Sequence, residues 1–378
     1  MAQKVPNFKP FIPKESVKMA IQTLKSGWIG GDGPKVKEFE KKISKIINNK
    51  NVVALNSGTS ALQLALKIIG VHGHQVISTP MTCFATNAAI AAEGADIVWS
   101  DVDPQSGNID PADIERKISK KTKAIMVVHW GGNPAQLDKI AKIAKSYKIP
   151  VVEDAAQALG SQFGNKPIGS HSEYICFSTQ AVKIINTVDG GILATKSQKD
   201  AKKARLLRWY GIDRETRHWG KTFWHYPIRE AGFKMQMTNV AAAIGLGQLP
   251  YLAKLLNHRR KLAKIYQNAI SKSSTLKSQK ILKGAVPNYW MFTTLCGSWQ
   301  NRLKLVEALA KINVTAEEAH RRNDLYPVFQ KYKQSFSANK KEHLPGVTEF
   351  NNQELIVPNG FWVTEKKASQ IAHILAGF

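Results

Sequence analysis

Short apolar blocks alternate with segments of helical periodicity through the first half of the chain. The predicted strands are Asn51–Leu55, Gln75–Ser78, Ile97–Ser100, Ala124–His129, Val151–Glu153, Tyr174–Ser178 and Gly191–Thr195. The predicted helices between them are Ser60–Ile69, Ala85–Ala92, Pro111–Ile118 and Gln136–Tyr147. Strands that alternate with helices predict an α/β fold whose mostly parallel sheet lies between two layers of helices.

The pattern changes after Thr238. A long helical stretch follows, and Pro250 is expected to break it. Beyond it the pattern predicts a strand over Trp290–Cys296, a helix over Arg302–Ile312 and a closing helix from Thr364. We therefore expect a large domain over residues 1–250, of which residues 1–30 are free to pack elsewhere, and a smaller C-terminal α/β domain over 251–378.

Composition indicates an ordinary globular protein. Of its 378 residues, 43% are hydrophobic and 22% charged, and no apolar run reaches membrane-spanning length. The first residues lack the apolar core of a signal peptide. Cys83, Cys176 and Cys296 are too few and too scattered for a disulfide framework or a zinc site. We expect a cytoplasmic protein without a metal.

The chain is strongly basic, with 54 Lys and Arg against 28 Asp and Glu and a net charge of +26. The charge is spread along the whole chain, and no zinc-finger spacing or RNA-binding signature accompanies it. A lysine-rich solvated surface is the favoured interpretation, with nucleic-acid binding as the alternative.

Lys183 is the first candidate for chemistry. It closes the segment FSTQAVK that begins at Phe177, and Asp189, Gly190 and Gly191 follow shortly after. A lysine between an apolar strand and a glycine pair can act as a Schiff-base lysine if its pocket is desolvated. Taken alone, a solvated surface lysine is the more common case.

Two further segments suit a phosphorylated cofactor. The run Asn56–Leu62 reads NSGTSAL, follows a strand and opens a helix, where backbone amides and the helix dipole favour a phosphate. An ordinary helix cap is the alternative. Asp154, in EDAAQ, follows a strand, where a carboxylate can pair with the pyridine nitrogen of pyridoxal phosphate; a helix-capping Asp is the alternative. Ser178 can donate to the same phosphate or be a solvated hydroxyl at a strand end.

The joint order of these motifs is more specific than any one of them. An SGTS segment, a strand ending in EDAAQ, and FSxxxxK before Gly190-Gly191 resemble the DegT–StrS family of sugar aminotransferases. These are fold-type-I, pyridoxal-phosphate-dependent enzymes that aminate nucleotide-linked keto sugars. The resemblance covers nearly the whole chain and includes the stretches Gly31–Val36, Ser78–Thr82, Asp101–Pro104 and Met237–Leu249.

The resemblance implies roles for individual residues. Lys183 would bind the cofactor and then move the proton, Asp154 would pair with the pyridine nitrogen, and Gln157 would lie against the cofactor's hydroxyl. The residues implied at the phosphate are Gly58, Thr59, Ser60 and Ser178. Many relatives stack an aromatic ring on the cofactor at the position of Cys83. Here the ring is one residue later, so Phe84 is the predicted stacking residue and Cys83 the alternative.

Family members are homodimers with shared active sites. The neighbouring subunit would complete the phosphate site from the segment Gly232–Met235, in which Lys234 replaces the asparagine of many relatives.

The implied reaction moves an amino group from glutamate, through pyridoxamine phosphate, to a nucleotide-diphosphate keto-deoxysugar. Perosamine-type amination at C4 is favoured, because the overall pattern is most similar to those relatives. Arg208, Arg214 and Arg217 are candidates to meet the diphosphate, or are solvated charges at a helix end. His320 would approach the sugar, or is a surface histidine. A C3-keto sugar, a cyclitol ketone and a non-catalytic regulator of the same fold are the alternatives.

Overall fold

A computed structural model describes residues 4–31, 33–213, 228–334 and 344–378. Its centre is a seven-stranded sheet in the order β1-β9-β8-β5-β4-β2-β3. These strands are β1 (Val52–Leu55), β2 (Gln75–Ser78), β3 (Asp96–Trp99), β4 (Thr122–Val128), β5 (Val151–Asp154), β8 (Tyr174–Ser178) and β9 (Gly191–Thr195). All neighbouring pairs from β8 to β3 are parallel, and only β9 runs antiparallel to its two neighbours. The predicted α/β fold with a mostly parallel sheet is confirmed.

Helices pack around this sheet. Those before residue 250 are α1 (Lys14–Lys25), α2 (Pro34–Ile46), α3 (Gly58–Ile69), α4 (Phe84–Ala92), α5 (Pro111–Lys117), α6 (Leu137–Tyr147), α7 (Gln198–Leu207) and α8 (Asn239–Gln248). Helix α3 contacts β8 and β9 and also packs on α4. A small sheet combines β6 (Gln162–Phe163), β7 (Lys166–Pro167) and β11 (Ala285–Val286).

Pro250 breaks the long helical stretch as predicted. A 3-10 turn over Leu249–Tyr251 separates α8 from α9 (Leu252–Ile270). The remaining C-terminal elements are β10 (Lys277–Ser278), β12 (Phe292–Leu295), α10 (Trp299–Ala310), α11 (Pro345–Gln353), β13 (Glu354–Val357) and α12 (Glu365–Ala376). Strand β12 is shorter than predicted, so Trp290 stands just before it.

The C-terminal elements enclose a second apolar core. Strands β10, β12 and β13 form a three-stranded antiparallel sheet, and its buried residues cluster with those of α9, α10 and α12. This second cluster runs from Leu262 to Leu375, while the first still includes Leu256 of α9. The precise division into domains at residue 250 stays a prediction.

The N-terminal segment spans both parts of the chain. Helix α1 packs on α8, where the Ser16 hydroxyl donates to the Ile244 carbonyl at 2.8 Å. A Cβ atom at Gly247 would lie 2.5 Å from the Ser16 nitrogen, so this close approach requires glycine. Earlier in the chain, Val5 forms a parallel bridge with Val314. In the described ranges, no helix has the length and apolar character needed to cross a membrane.

Candidate active site

The predicted phosphate cradle lies between β1 and α3. The Ser57 hydroxyl caps α3 by accepting the Ser60 amide at 3.0 Å. The first amides of a helix have no partner within it, so Gly58 and Thr59 present theirs at an end that favours anions. The Ser60 hydroxyl donates to the Asn56 side chain at 2.7 Å, so it supports the turn. Its direct contact with a cofactor stays a prediction.

Close packing joins this cradle to the end of β8. A Cβ atom at Gly58 would lie 2.9 Å from the Ser178 Cβ atom, and one at Gly191 would lie 2.0 Å from the Ser57 carbonyl oxygen. Both glycines are therefore required for β8 and β9 to approach the start of α3. The fold brings Ser178 next to Gly58, as a shared phosphate site needs. Ser178 is half-buried, and its oxygen accepts the Gln180 amide at 3.2 Å.

Asp154 is the last residue of β5 and is only 6% exposed. Its Oδ2 atom accepts the Thr86 hydroxyl at 2.6 Å, and its Oδ1 atom accepts the Ala156 amide at 3.1 Å. The oxygen of Thr82 lies 2.7 Å from that of Thr86. Because the Thr86 proton points to Asp154, Thr82 is the donor in this second bond. Turns follow Asp154 instead of a helix, so the helix-capping alternative is wrong.

Lys183 lies in the loop between β8 and β9. Burial lowers its pKa to about 8, and electrostatic interactions with Cys83 and Asp154 act in the opposite direction. A pKa near 8 leaves part of the amine neutral, and therefore nucleophilic, at neutral pH. The Nζ atom lies 3.7 Å from the ring centroid of Trp290. The solvated-surface alternative for Lys183 is wrong.

Gln157 and His320 meet beside Lys183. The Gln157 Oε1 atom accepts the Gly131 amide at 2.7 Å, which turns its Nε2 atom toward the Nε2 atom of His320 at 3.2 Å. Burial, and then the charge of Lys183, lower the pKa of His320 to about 4. His320 is therefore neutral at pH 7, and its Nε2 atom accepts from Gln157. The surface-histidine alternative is wrong.

One small cavity lies between Gln157 and Lys183. It is lined by Ala156, Gln157, Leu159, Ser178, Lys183, Ile184, Ile185, Asn288 and Trp290. A predicted cofactor lysine, a predicted phosphate ligand and the predicted hydroxyl neighbour thus share one space at the carboxyl ends of β5 and β8, where parallel sheets bind ligands.

The two candidate stacking positions face different surroundings. The Phe84 ring is 44% exposed and packs at 5.3 Å from Tyr326 and 5.2 Å from Phe329. Cys83 is exposed and interacts electrostatically with Lys183. The stacking role of Phe84, with Cys83 as the alternative, stays a prediction.

Lys234 lies next to the phosphate cradle of its own chain. Its carbonyl accepts from the Asn56 side chain at 3.5 Å, and the Asn56 amide donates to the Met235 carbonyl at 2.8 Å. The exposed Lys234 ammonium lies 5.6 Å from the ring centroid of Trp209. The contact of Lys234 with a neighbouring subunit stays a prediction.

Arg208 does not have the surroundings expected of a diphosphate ligand. Its guanidinium donates to Glu40 at 2.7 Å and to the Ala54 carbonyl at 2.8 Å, which ties α7 to α2 and β1. The side chain is only 15% exposed, so it is not a solvated helix-end charge either. Arg214 and Arg217 lie outside the described residues, and their roles stay predictions.

Sequence reasoning missed several residues of the site. Thr86 lies in the first turn of α4, and Thr82 stands two residues before the helix in the segment TCFAT, so the helical spacing alone did not predict their contact. Asn323 is buried, and its side chain bonds to Asn87 and to the Thr82 carbonyl. Trp290 has no sequence signal, because only the packing of the C-terminal part brings it to Lys183.

The model of one protein family matches residues 10–376. It is the DegT/DnrJ/EryC1/StrS aminotransferase family. The chain belongs to this family. Its members are pyridoxal-phosphate-dependent sugar aminotransferases, so the predicted resemblance and enzyme class are confirmed.

Named relatives of this aminotransferase act on nucleotide sugars. The GDP-perosamine synthase of Caulobacter vibrioides is 35% identical, over 73% of each chain. A Campylobacter jejuni relative named UDP-4-amino-4,6-dideoxy-N-acetyl-beta-L-altrosamine transaminase is 34% identical, over 71% of this chain and 70% of its own.

Solved structures of similar proteins agree with the fold. AtS13 from Actinomadura melliaura matches with a TM-score of 0.92 and 31% identity, over 100% of this chain and 99% of its own. The aminotransferase Spr1654 from Streptococcus pneumoniae, in its PLP form, matches with a TM-score of 0.89 and 25% identity, over 99% of this chain and 97% of its own.

Proposed function

We propose that this aminotransferase binds pyridoxal phosphate at Lys183 and uses it to aminate a nucleotide-linked keto-deoxysugar. The residues at the site match the chemical groups of this cofactor. An anion-favouring helix start at Gly58 and Thr59 suits a phosphate, and Asp154 offers a carboxylate for the pyridine nitrogen. Lys183 offers a buried amine whose pKa is lowered to about 8.

When bound, pyridoxal phosphate supplies an electron sink for the breaking of a carbon–hydrogen bond beside nitrogen. The protein's part is to position and to move protons. Asp154, held by Thr86 and the Ala156 amide, would stabilise a proton on the pyridine nitrogen. Lys183, with its pKa near 8, can both accept and return a proton at Nζ near neutral pH. Gln157 and His320 would present polar atoms on the same side of the site.

The proposed substrates are glutamate as donor and a 4-keto-6-deoxyhexose of a nucleoside diphosphate as acceptor, aminated at C4. Support comes from the relatives whose names include GDP-perosamine synthase and a UDP-4-amino sugar transaminase. We further propose a homodimer in the cytoplasm whose subunits share their active sites. A basic surface would favour the diphosphate electrostatically.

The convergence of Lys183, Gln157 and Ser178 on one cavity, with Asp154 at the end of β5 and His320 bonded to Gln157, is the observation that carries this proposal. A screen of keto sugars with glutamate, in which NMR locates the new amine, is the test. We expect amination at C4 of a 4-keto-6-deoxy sugar. Acceptance of only a C3-keto sugar or a cyclitol ketone would move the chain to that substrate class. A protein that binds no cofactor and aminates nothing would favour the regulator.

A further inference from the structure

Trp290 is the neighbour of Lys183 to which the proposed function assigns no role. Its ring is buried, and its centroid lies 3.7 Å from the Lys183 Nζ atom. An ammonium this close to an indole face is attracted by the negative face of the ring. A neutral amine gains much less, so the contact favours the protonated form of Lys183.

Four contacts fix the orientation of the indole. Its Nε1 atom donates to the Val182 carbonyl at 3.0 Å. Its backbone amide donates to Asn288 at 2.8 Å, and its carbonyl accepts from Arg259 at 2.9 Å. The Phe8 ring stacks on it, with centroids 4.9 Å apart and an interplanar angle of 23°. The position of the ring is therefore set by the protein and not by Lys183.

Phe8 supports the indole from the side opposite Lys183. A ring stacked at this distance leaves no space for an ammonium on the same face. The segment that carries Phe8 is itself held at two points. The Pro6 carbonyl accepts the Trp362 indole N–H at 2.8 Å, and the Phe11 carbonyl accepts from Asn186 at 3.1 Å.

Transamination requires the lysine to leave the cofactor and later to rejoin it. A lysine side chain has four flexible carbons, so a free amine loses much of its alignment unless something holds it. A fixed contact close to the reacting position reduces that loss. The same contact keeps a proton on Nζ in a pocket whose burial favours the neutral amine.

We propose that Trp290 is a positioning residue for Lys183, which holds the lysine ammonium on its indole face whenever the lysine is not joined to the cofactor. Phe8 keeps that face in place. This inference rests on the proposed role of Lys183 as the cofactor-binding lysine.

The test measures the attachment of pyridoxal phosphate to protein stripped of cofactor, as a function of pH. The visible absorption of the lysine-bound cofactor gives the rate, and Lys183→Ala protein gives the background from surface lysines. Trp290→Leu should move the pH midpoint down by about 0.5 to 1.5 units, since loss of the indole face destabilises the ammonium. It should also speed attachment below the midpoint, where a larger fraction of the amine is then neutral, and leave the rate above the midpoint close to that of the parent protein, because the amine is neutral there in all variants.

Two variants separate the indole face from simple packing. Trp290→Phe keeps an aromatic face and loses the bond to Val182, so its midpoint should stay close to that of the parent protein. Trp299→Leu is the matched control, because Trp299 is 47% exposed and has the Arg302 guanidinium 4.1 Å from its ring centroid, so its loss should leave the midpoint unchanged. If Trp290→Leu fails to fold by thermal melting, Trp290→Met takes its place as an apolar chain without a ring.

The outcomes distinguish the two proposals. An unchanged midpoint in the leucine or methionine variant would overturn the role of Trp290. So would an equal shift in Trp290→Phe, because packing and not the aromatic face would then be responsible. A parent protein without any Lys183-dependent absorption would instead overturn the proposed function, and this inference with it.

Discussion

The Thr86 hydroxyl donates a hydrogen bond to the Asp154 carboxylate at 2.6 Å. This bond joins the first turn of α4 to the last residue of β5, and Thr82 extends it by a second hydroxyl at 2.7 Å. A carboxylate held by fixed donors keeps its orientation. Thr86 would therefore hold Asp154 in place for its proposed contact with the pyridine nitrogen.

We expect Thr86→Val, which keeps the shape of the side chain but lacks the hydroxyl, to hold the Asp154 carboxylate less firmly. A hydrogen bond to a charged group contributes about 1.5 to 3 kcal/mol, so the half-reaction with glutamate should slow by roughly tenfold or more. Thr86→Ser should retain most of the rate, because it keeps the hydroxyl. Stopped-flow absorbance measures both. A valine variant as fast as the parent protein would show that Asp154 does not depend on this bond.

The features that could be predicted are those determined by residues close together in the sequence. The parallel sheet follows from short apolar runs such as Val151–Asp154, and the break at Pro250 follows from a missing amide. The order of SGTS, EDAAQ and the Lys183 segment identified the family, since strands and loops in that order meet at one edge of a sheet.

The unpredictable part depends on distant pieces of chain. Phe8 and Trp290 are far apart in sequence, and only the contact of the N-terminal segment with the C-terminal part stacks them. Arg208 was a candidate for the diphosphate or a solvated charge at a helix end, but its guanidinium donates to Glu40. A sequence shows that an arginine is charged without showing where its partner lies.

Borohydride should fix pyridoxal phosphate covalently to Lys183, and the protein should be yellow before reduction. The reason is the burial of this amine, which lowers its pKa to about 8 while ordinary surface lysines stay fully protonated near pH 7. Peptide mapping after reduction identifies the labelled lysine. Lys183→Ala serves as the control, and a label retained there on another lysine would contradict the assignment.

Glu354 should make the free energy of unfolding fall as the pH rises from about 5 to 8. Its side chain is buried at the start of β13, and it accepts the Ala319 amide at 2.9 Å. Burial raises its pKa to about 8, above the value near 4.5 expected in the unfolded chain. The folded state thus binds more protons in this window, and its stability is complete only at the lower pH.

The test compares Glu354→Gln with the parent protein by denaturant unfolding at pH 5 and pH 8. The amide cannot ionise, so at pH 8 the free energy of unfolding of the variant should rise relative to that of the parent protein. The expected rise is about 1.4 kcal/mol for each unit of pKa difference that the substitution removes. Glu365→Gln is the control, because that carboxylate is 63% exposed and pairs with Lys261. Equal differences between parent and variant at both pH values would show that Glu354 ionises normally.

Lys234 should act on the cofactor phosphate of a neighbouring subunit. The family resemblance implies a contact across a subunit interface from this position, and a flexible ammonium is a good partner for a phosphate. In the single chain, the Lys234 backbone lies beside its own Asn56, so a contact within the same subunit is the alternative to exclude. Lys234→Ala should weaken cofactor retention far more than it weakens folding, as measured by equilibrium dialysis and thermal melting. Lys331→Ala, a second lysine beside an aromatic ring, provides the control for loss of one positive charge.

Mixing two inactive variants decides between the two arrangements for Lys234. In a dimer formed from one Lys183→Ala subunit and one Lys234→Ala subunit, contact across the interface would leave one site with both lesions and the other with none. Part of the activity should then return on mixing. If Lys234 served its own subunit, each site would keep one lesion and no activity would return. Energy transfer between labelled subunits establishes that exchange has occurred, and an inactive mixture despite that exchange would refute the shared site.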